Sequence, residues 1–313
     1  MKSIRLFEPK LKSSVVSDDV IVSPIPYTGN KKRLIDKGLI RMFPNEIRTF
    51  VDLFAGSGIV SMNTLADRII INDIDSHLIE LYNLFTENSA DEIIQHIENR
   101  IEQFGLATET TKRNVYKDSD KIGQYKSAYI KLRDEYNSAK SVFDFCTLMY
   151  FSFSQQFRFN ADGDFNMPCG DDYFSEYQKE SIINGCNFFQ NRNIEICNMD
   201  FKSFDISSLT ERDFVYLDPP YFITLAVYTD GINGYAGWSE SDEKSLYQLC
   251  ERLDGRNIKF GMSNVFRNKG RTNQSLIDWS RYHNFNVHRF STHTYSACGK
   301  GNSMAEEVFI TNY

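Results

Sequence analysis

The chain has 313 residues, 41% hydrophobic and 25% charged, which is ordinary for a globular protein and leaves room for one α/β domain or a core with an inserted module. No stretch approaches the ~20 apolar residues that a membrane-spanning helix needs, which excludes a helical membrane protein. The net charge of −7 neither demands nor forbids nucleic acid, because residues 255–313 carry eight Lys/Arg against three acids, or +5, and residues 1–254 hold the remaining −12.

The leader MKSIRLFEPKLK interleaves charge with apolar residues and has no continuous apolar run, so a cytoplasmic protein is expected. The six cysteines (146, 169, 186, 197, 250 and 298) show no CxxC pair or zinc-like spacing and read as free thiols. A helix pattern runs from Lys31 to Phe43 and stops at Pro44. TFVDLF (49–54) reads as a strand, AGSG (55–58) as a turn into a helix, and RIIINDID (68–75) as a second strand ending on acids. Residues 76–103 read as one helix, with Leu78, Ile79, Leu81 and Tyr82 spaced for a single face.

From about 86 to 194 the pattern changes. Helices are predicted at 121–139 and 141–157, followed by RFNADGDFNMPCGDD (158–172), whose Gly, Asn and Asp content predicts a hairpin. Strand–helix alternation then resumes: IEIC (194–197), FVYLD (214–218), a helix at 241–253, IKFGMS (258–263), a helix at 273–282 and EEVFITN (306–312). Strands separated by helices imply a largely parallel sheet, with the middle block inserted into it.

Two strand ends carry candidate chemistry. In VDLFAGSG, Gly56 and Gly58 let a ligand approach the backbone, and Asp73 at the tip of the next strand can accept both hydroxyls of a ribose. A structural β–α turn is the other reading of the glycines. A nicotinamide-dependent oxidoreductase on the same fold would want a third glycine where this chain has Ser61. In FVYLDPPYFIT (214–224), a run of β-formers meets Asp218 and two prolines. Asp218 and a rigidly aimed Pro219 carbonyl make two acceptors facing one spot, which suits an NH₂ group. Tyr221 offers a flat face to the base carrying that group.

Together these segments resemble the Dam-like, alpha-group DNA adenine-N6 methyltransferases, phage-type members above all. The likeness spans roughly residues 24–313 and rests on PYTGNKKRLI (26–35), FVDLFAGSG, NDID, KLRDEYN (131–137), DFVYLDPPY, IKFGMSNV and EEVFITN in that order. The resemblance implies an α/β fold: a Rossmann-like S-adenosylmethionine-dependent methyltransferase core with a largely parallel seven-stranded sheet. Residues 20–85 and 195–313 would form this core. Residues 86–194 would form an inserted, mostly helical target-recognition domain carrying a β-hairpin, and 1–19 a leader.

By the same resemblance, Tyr27, Gly29, Lys31, Phe54, Ala55, Gly56, Gly58, Asp73, Asp200, Phe201 and Asp218 would contact the cofactor, with Lys31 at its carboxylate. Asp218, Pro219, Pro220 and Tyr221 would hold a flipped adenine whose N6 attacks the sulfonium methyl in line, leaving S-adenosylhomocysteine and requiring no metal. Arg158, Asn160, Asn166 and Pro168 would lie against double-stranded DNA. A monomer or weak dimer is expected, in a restriction–modification, phage or orphan setting with a cognate endonuclease as a compatible partner. Cytosine-N4 and RNA amines are alternative substrates, although cytosine enzymes favour Ser before the prolines.

One departure concerns the target site. Relatives that methylate GATC place basic residues after the P-x-G turn, whereas this chain has Asp171 and Asp172. The segment GINGYAGW (231–238) reads as a long loop after the prolines, with Tyr228 and Trp238 as stacking candidates and core packing as the other reading of Trp238. His283, His288 and His293 lack acid partners at metal-ligand spacing. Arg267, Arg271, Arg281 and Arg289 suit phosphates or a solvated face equally.

Overall fold

In a computed structural model, residues 19–110, 119–224, 237–293 and 304–313 are described. The 1–18 leader, Tyr228, residues 231–236 and Cys298 lie outside them. The strands are β1 (Thr49–Asp52), β2 (Arg68–Asn72), β3 (Ile194–Cys197), β4 (Phe214–Leu217), β5 (Lys259–Asn268), β6 (Arg271–Thr272), β7 (Asn286–His293) and β8 (Met304–Thr311). They form one sheet in the order β3-β2-β1-β4-β5-β8-β7, with β6 pairing off β5. The first five strands of that order pair in parallel, and the β5–β8 and β8–β7 pairs are antiparallel.

The helices are α1 (Lys32–Asp36), α2 (Ile59–Met62), α3 (Ser76–Glu87), α4 (Ala90–Phe104), α5 (Ser119–Ala139), α6 (Val142–Phe151), α7 (Glu176–Asn191), α8 (Glu240–Gly255) and α9 (Gln274–Tyr282). Alternation along the strands splits the core between the two sheet faces. Phe50, Ile69, Phe214 and Tyr216 face α3, α4, α6 and α7, whose Phe85, Ile93, Phe145 and Phe189 join the same cluster. Val51, Ile70, Val215 and Leu217 face α8 and α9, through Leu246, Leu253 and Leu276. β1 and β4 are buried on both faces, as central parallel strands must be.

Several expected elements are shorter or divided. The 31–43 helix breaks at Gly38 (φ 93°) into α1 and a 3₁₀ turn, Ile40–Met42. The 76–103 helix divides at Asn88–Ser89, where Ser89 and Glu92 form a capping box that starts α4. The 141–157 helix ends at Phe151. The 158–172 hairpin is held by isolated bridges, Phe159 with Phe165 and Ser152 with Cys169, rather than by a ladder. Helix α7 and strands β6 and β7 were not among the expected elements.

At the amino edge of the sheet, buried Asp213 ties β1 to β4. Arg48 donates to its two oxygens at 2.9 and 2.5 Å, and the Thr49 and Thr210 amides donate at 2.9 and 2.7 Å. Burial alone would raise its pKa. The Arg48 guanidinium and the backbone donors outweigh that and hold it at about 2. Replacing Asp213 by Ala strands these donors and should cost about 3 kcal/mol, read as a lower denaturant midpoint with unchanged m-value. The wild-type contribution is present above the usual Asp range and should fade as pH falls through about 2.

Candidate active site

The carboxyl ends of β1, β2 and β4 meet at one place, where ligands bind in open α/β sheets. After β1 the chain makes a tight turn with Gly56 at φ 53° and Gly58 at φ 72°. The Tyr27 ring lies so close over Gly56 that a Cβ there would stand 3.0 Å from it, and with φ at 53° both the ring and the backbone favour glycine. The helix expected after the turn is the single turn α2. Tyr82, buried on α3, donates its hydroxyl to the Gly56 carbonyl at 2.5 Å and fixes the turn from below.

Asp73 follows β2 and faces this turn. Its Oδ2 accepts the Gly56 amide at 2.9 Å and its Oδ1 the Asp75 amide at 3.0 Å. Burial raises its pKa to about 6 against those two amides. Asn72 beside it donates to the Leu53 and Met199 carbonyls at 3.0 Å each, locking three strand ends together. Asp52 ends β1 and is 1% exposed. It accepts the Ser61 hydroxyl at 2.7 Å on Oδ2, while Oδ1 has no partner. Burial, and after it the charges of Asp218 and Asp73, push Asp52 up to about 7. Ser61, standing where a dinucleotide fingerprint wants glycine, is therefore the partner of a buried acid. Sequence patterns flagged neither Asn72 nor Asp52, although both sit inside motifs read for other residues.

An aromatic wall closes one side. Phe54 lies 5.3 Å from Phe201 and 5.8 Å from Trp238, and Phe201 lies 5.4 Å from Trp238, ring centre to ring centre. Trp238 is buried and donates Nε1 to Glu243 at 2.7 Å, so of its two readings core packing holds, in this wall. Asp200 caps the 3₁₀ turn Phe201–Ser203 by accepting the Lys202 amide. The Ala55 amide donates to the Asn72 carbonyl at 3.0 Å.

Asp218 follows β4 at the centre of the edge. Lys31 Nζ stands 2.5 Å from its Oδ2 and donates at 2.9 Å to the Gly29 carbonyl. Tyr221 donates its hydroxyl to Oδ1 at 3.1 Å, and the same Lys31 ammonium lies 5.2 Å from the centre of the Tyr221 ring. Burial raises the pKa of Asp218, while the Lys31 charge and the Tyr221 hydroxyl pull it down. Pro219 is buried and Pro220 exposed, and the Thr224 amide and hydroxyl both donate to the Tyr221 carbonyl at 2.9 Å. The ammonium expected at the cofactor carboxylate is thus held by the acid that the amine reading assigns to the base.

The hairpin residues largely brace one another. Arg158 donates to the Asn166 side chain at 2.7 Å and to its carbonyl at 3.2 Å. The Asn160 side chain accepts the Asp162 and Asp164 amides, and the Pro168 carbonyl accepts the Phe153 amide at 2.9 Å. Phe159 stacks on His77 at 3.6 Å between centres, tying the hairpin to the segment after Asp73. Among the described residues no cluster of His, Cys, Asp or Glu is arranged to hold a metal ion.

A model of the D12 class N6 adenine-specific DNA methyltransferase family matches residues 27–292. The modification methylase StsI of Streptococcus sanguinis is 34% identical over 94% of the chain and 43% of its own length. The type II methyltransferase M.FokI of Planomicrobium okeanokoites is 34% identical over 95% of the chain and 44% of its own length. The chain therefore spans less than half of these two relatives. A DNA adenine methylase of Haemophilus influenzae is 27% identical over 73% of the chain and 74% of its own length.

Asp73 gives this site a pH signature. The resemblance puts a ribose on Asp73, and only the ionised form, above about 6, would offer both oxygens to its hydroxyls. Affinity for S-adenosylhomocysteine should fall as pH drops through about 6. Asp73→Asn should flatten that dependence and weaken binding at about pH 7.5 roughly 10- to 100-fold, as for a lost charged hydrogen bond. Because Asp52 and Asp218 also titrate upward of the usual range, titration calorimetry of both proteins across pH isolates the Asp73 share.

Proposed function

The chain belongs to the D12 class of N6 adenine-specific DNA methyltransferases, and from that premise we propose that it methylates N6 of a flipped adenine at a specific site in duplex DNA. One observation carries this reading: the half-buried carboxylate of Asp218 closes the central strand with an N–H donor on one oxygen and an aromatic ring beside it. Lys31 already makes the contacts a target amine would make, an N–H aimed at Asp218 and a place over the Tyr221 face.

The residues also fit the cofactor that the family uses. Asp73 presents a carboxylate to a ribose. A side chain at Gly56 would crowd the Tyr27 ring, and Phe54, Phe201 and Trp238 supply apolar rings, tilted to one another, beside the turn. Asp52, Asp73 and Asp218 gather negative charge that a cationic sulfonium ligand would relieve. When bound, S-adenosylmethionine supplies an electrophilic methyl group.

The protein's part is to bind and orient. The adenine amine is conjugated into its ring and is a poor nucleophile. Accepting its hydrogens at Asp218 and the Pro219 carbonyl draws the nitrogen toward a tetrahedral shape and exposes its lone pair. Tyr221 stacks on the extruded base, which repays part of the few kcal/mol of unstacking. Lys31 must leave Asp218 as the amine arrives, and Asp218 is the base on which the displaced proton can rest.

In this reading residues 20–85 and 195–313 hold the cofactor and adenine, and residues 86–194 read the DNA, Arg158, Asn160, Asn166 and Pro168 among them. Asp171 and Asp172 favour a site other than GATC. Two of the relatives are named modification methylase and type II methyltransferase, and a restriction–modification role in the cytoplasm suits this chain. No helix among the described residues is long and apolar enough to cross a membrane.

The test is transfer of labelled methyl from S-adenosylmethionine to unmethylated duplex DNA, followed by digestion to nucleosides. Label in N6-methyladenine is expected. Asp218→Ala should lower the rate at least ~100-fold while S-adenosylhomocysteine binding stays within a few-fold. Label in N4-methylcytosine, or none in DNA, would refute the reading.

A further inference from the structure

The hairpin expected to read DNA is a poor source of affinity for it. Residues 158–172 hold one cation, Arg158, and four acids, Asp162, Asp164, Asp171 and Asp172, a net charge of −3. Arg158 is engaged with Asn166, and Asp171 is exposed. Phosphates dominate protein–DNA affinity, so the neutralising charge must come from elsewhere around the Asp218 pocket.

The sheet places such charge beside it. β5 is the parallel neighbour of β4, with Met262 opposite Leu217. From Met262 it runs on past the carboxyl edge to Asn268, roughly 20 Å further at strand rise. There Lys269 (φ 47°) and Gly270 (φ 79°) turn the chain back into β6, which pairs only as Arg267 with Thr272 and Asn268 with Arg271. This two-residue strand adds nothing to the core, because Arg271 and Thr272 are both exposed.

The tip does carry charge. Arg267, Lys269 and Arg271 are exposed within five residues, and no Asp or Glu occurs between Asp254 and Asp278. The Arg267 side chain is 66% exposed and stands 3.7 Å from Glu306, a weak tether. Glu306 is itself held more closely by Arg289 at 2.9 Å. Arg289, 60% exposed on β7, continues the basic surface along the same end of the sheet.

We infer that the β5–β6 tip, through Arg267, Lys269 and Arg271, is a clamp for the phosphate backbone of duplex DNA flanking the target base, on the far side of the Asp218 pocket from the acidic 158–172 hairpin. This rests on the DNA methyltransferase reading. The clamp holds DNA without regard to sequence and leaves base reading to the hairpin.

The experiment is fluorescence anisotropy of a labelled duplex against the full chain with S-adenosylhomocysteine, over a series of salt concentrations. The triple variant R267A/K269A/R271A should make the negative slope of log affinity against log salt shallower by about 0.9 for each phosphate it no longer neutralises, and weaken binding at ~0.1 M salt at least roughly tenfold. Lys269→Ala alone, at an exposed turn, should take about one of those steps. The control R252A/R281A, exposed cations toward the opposite end of the sheet, should leave the slope unchanged, and all variants should melt with the wild type. The triple variant should also keep its single-turnover methylation rate at saturating DNA within about threefold, because the tip touches no reacting group. An unchanged slope in a folded triple variant, with a wild type that binds and methylates DNA, overturns the clamp alone. A wild type that does neither overturns the clamp and the reading beneath it.

Discussion

A carboxylate largely withdrawn from water at the tip of the central strand cannot stay ionised for nothing. Removing it from water costs several kcal/mol unless charge and hydrogen bonds answer it. Asp218 is answered by Lys31 on one oxygen and Tyr221 on the other. The rest of the site depends on that arrangement. The segment before α1 must bring Lys31 back over the edge of the sheet, and the two prolines must fold Tyr221 under it. Any amine that replaces Lys31 enters a position already shaped for an N–H donor.

The second constraint is that three acids share one edge. Asp52, Asp73 and Asp218 end β1, β2 and β4 or follow directly on them, and the charges of the other two help raise Asp52. Such a cluster persists in a stable fold when its charges are answered or when it serves a cationic ligand. Asp213 at the opposite edge shows the contrast. It is buried more fully than Asp73 or Asp218, but five donors hold it low, and it works as a staple between strands.

The ordered motifs were legible because each is local. A β-run ending in an acid, a glycine turn and a proline pair announce a strand tip within about ten residues. The sheet, the glycine turn after β1 and the place of Asp218 at a strand tip followed from them. What stayed hidden depends on contacts far apart in sequence. The Lys31–Asp218 pair joins residues 31 and 218, and the Asp52–Ser61 bond lies within a motif read for its glycines. β7 escaped notice because its alternation mixes His and Arg with Val and Phe. Trp238 offered two readings in sequence, and Phe54, Phe201 and Glu243 decide it for packing.

In the proposed reaction the target amine takes the place of the Lys31 ammonium on Asp218. The direct measurement is a structure of the protein with a duplex it methylates and S-adenosylhomocysteine. Adenine N6 is expected within hydrogen-bond distance of Asp218 and the Pro219 carbonyl, with the base stacked on Tyr221 and Lys31 Nζ withdrawn from the carboxylate. A complex in which Lys31 still holds Asp218 and the extruded base lies elsewhere would contradict this exchange.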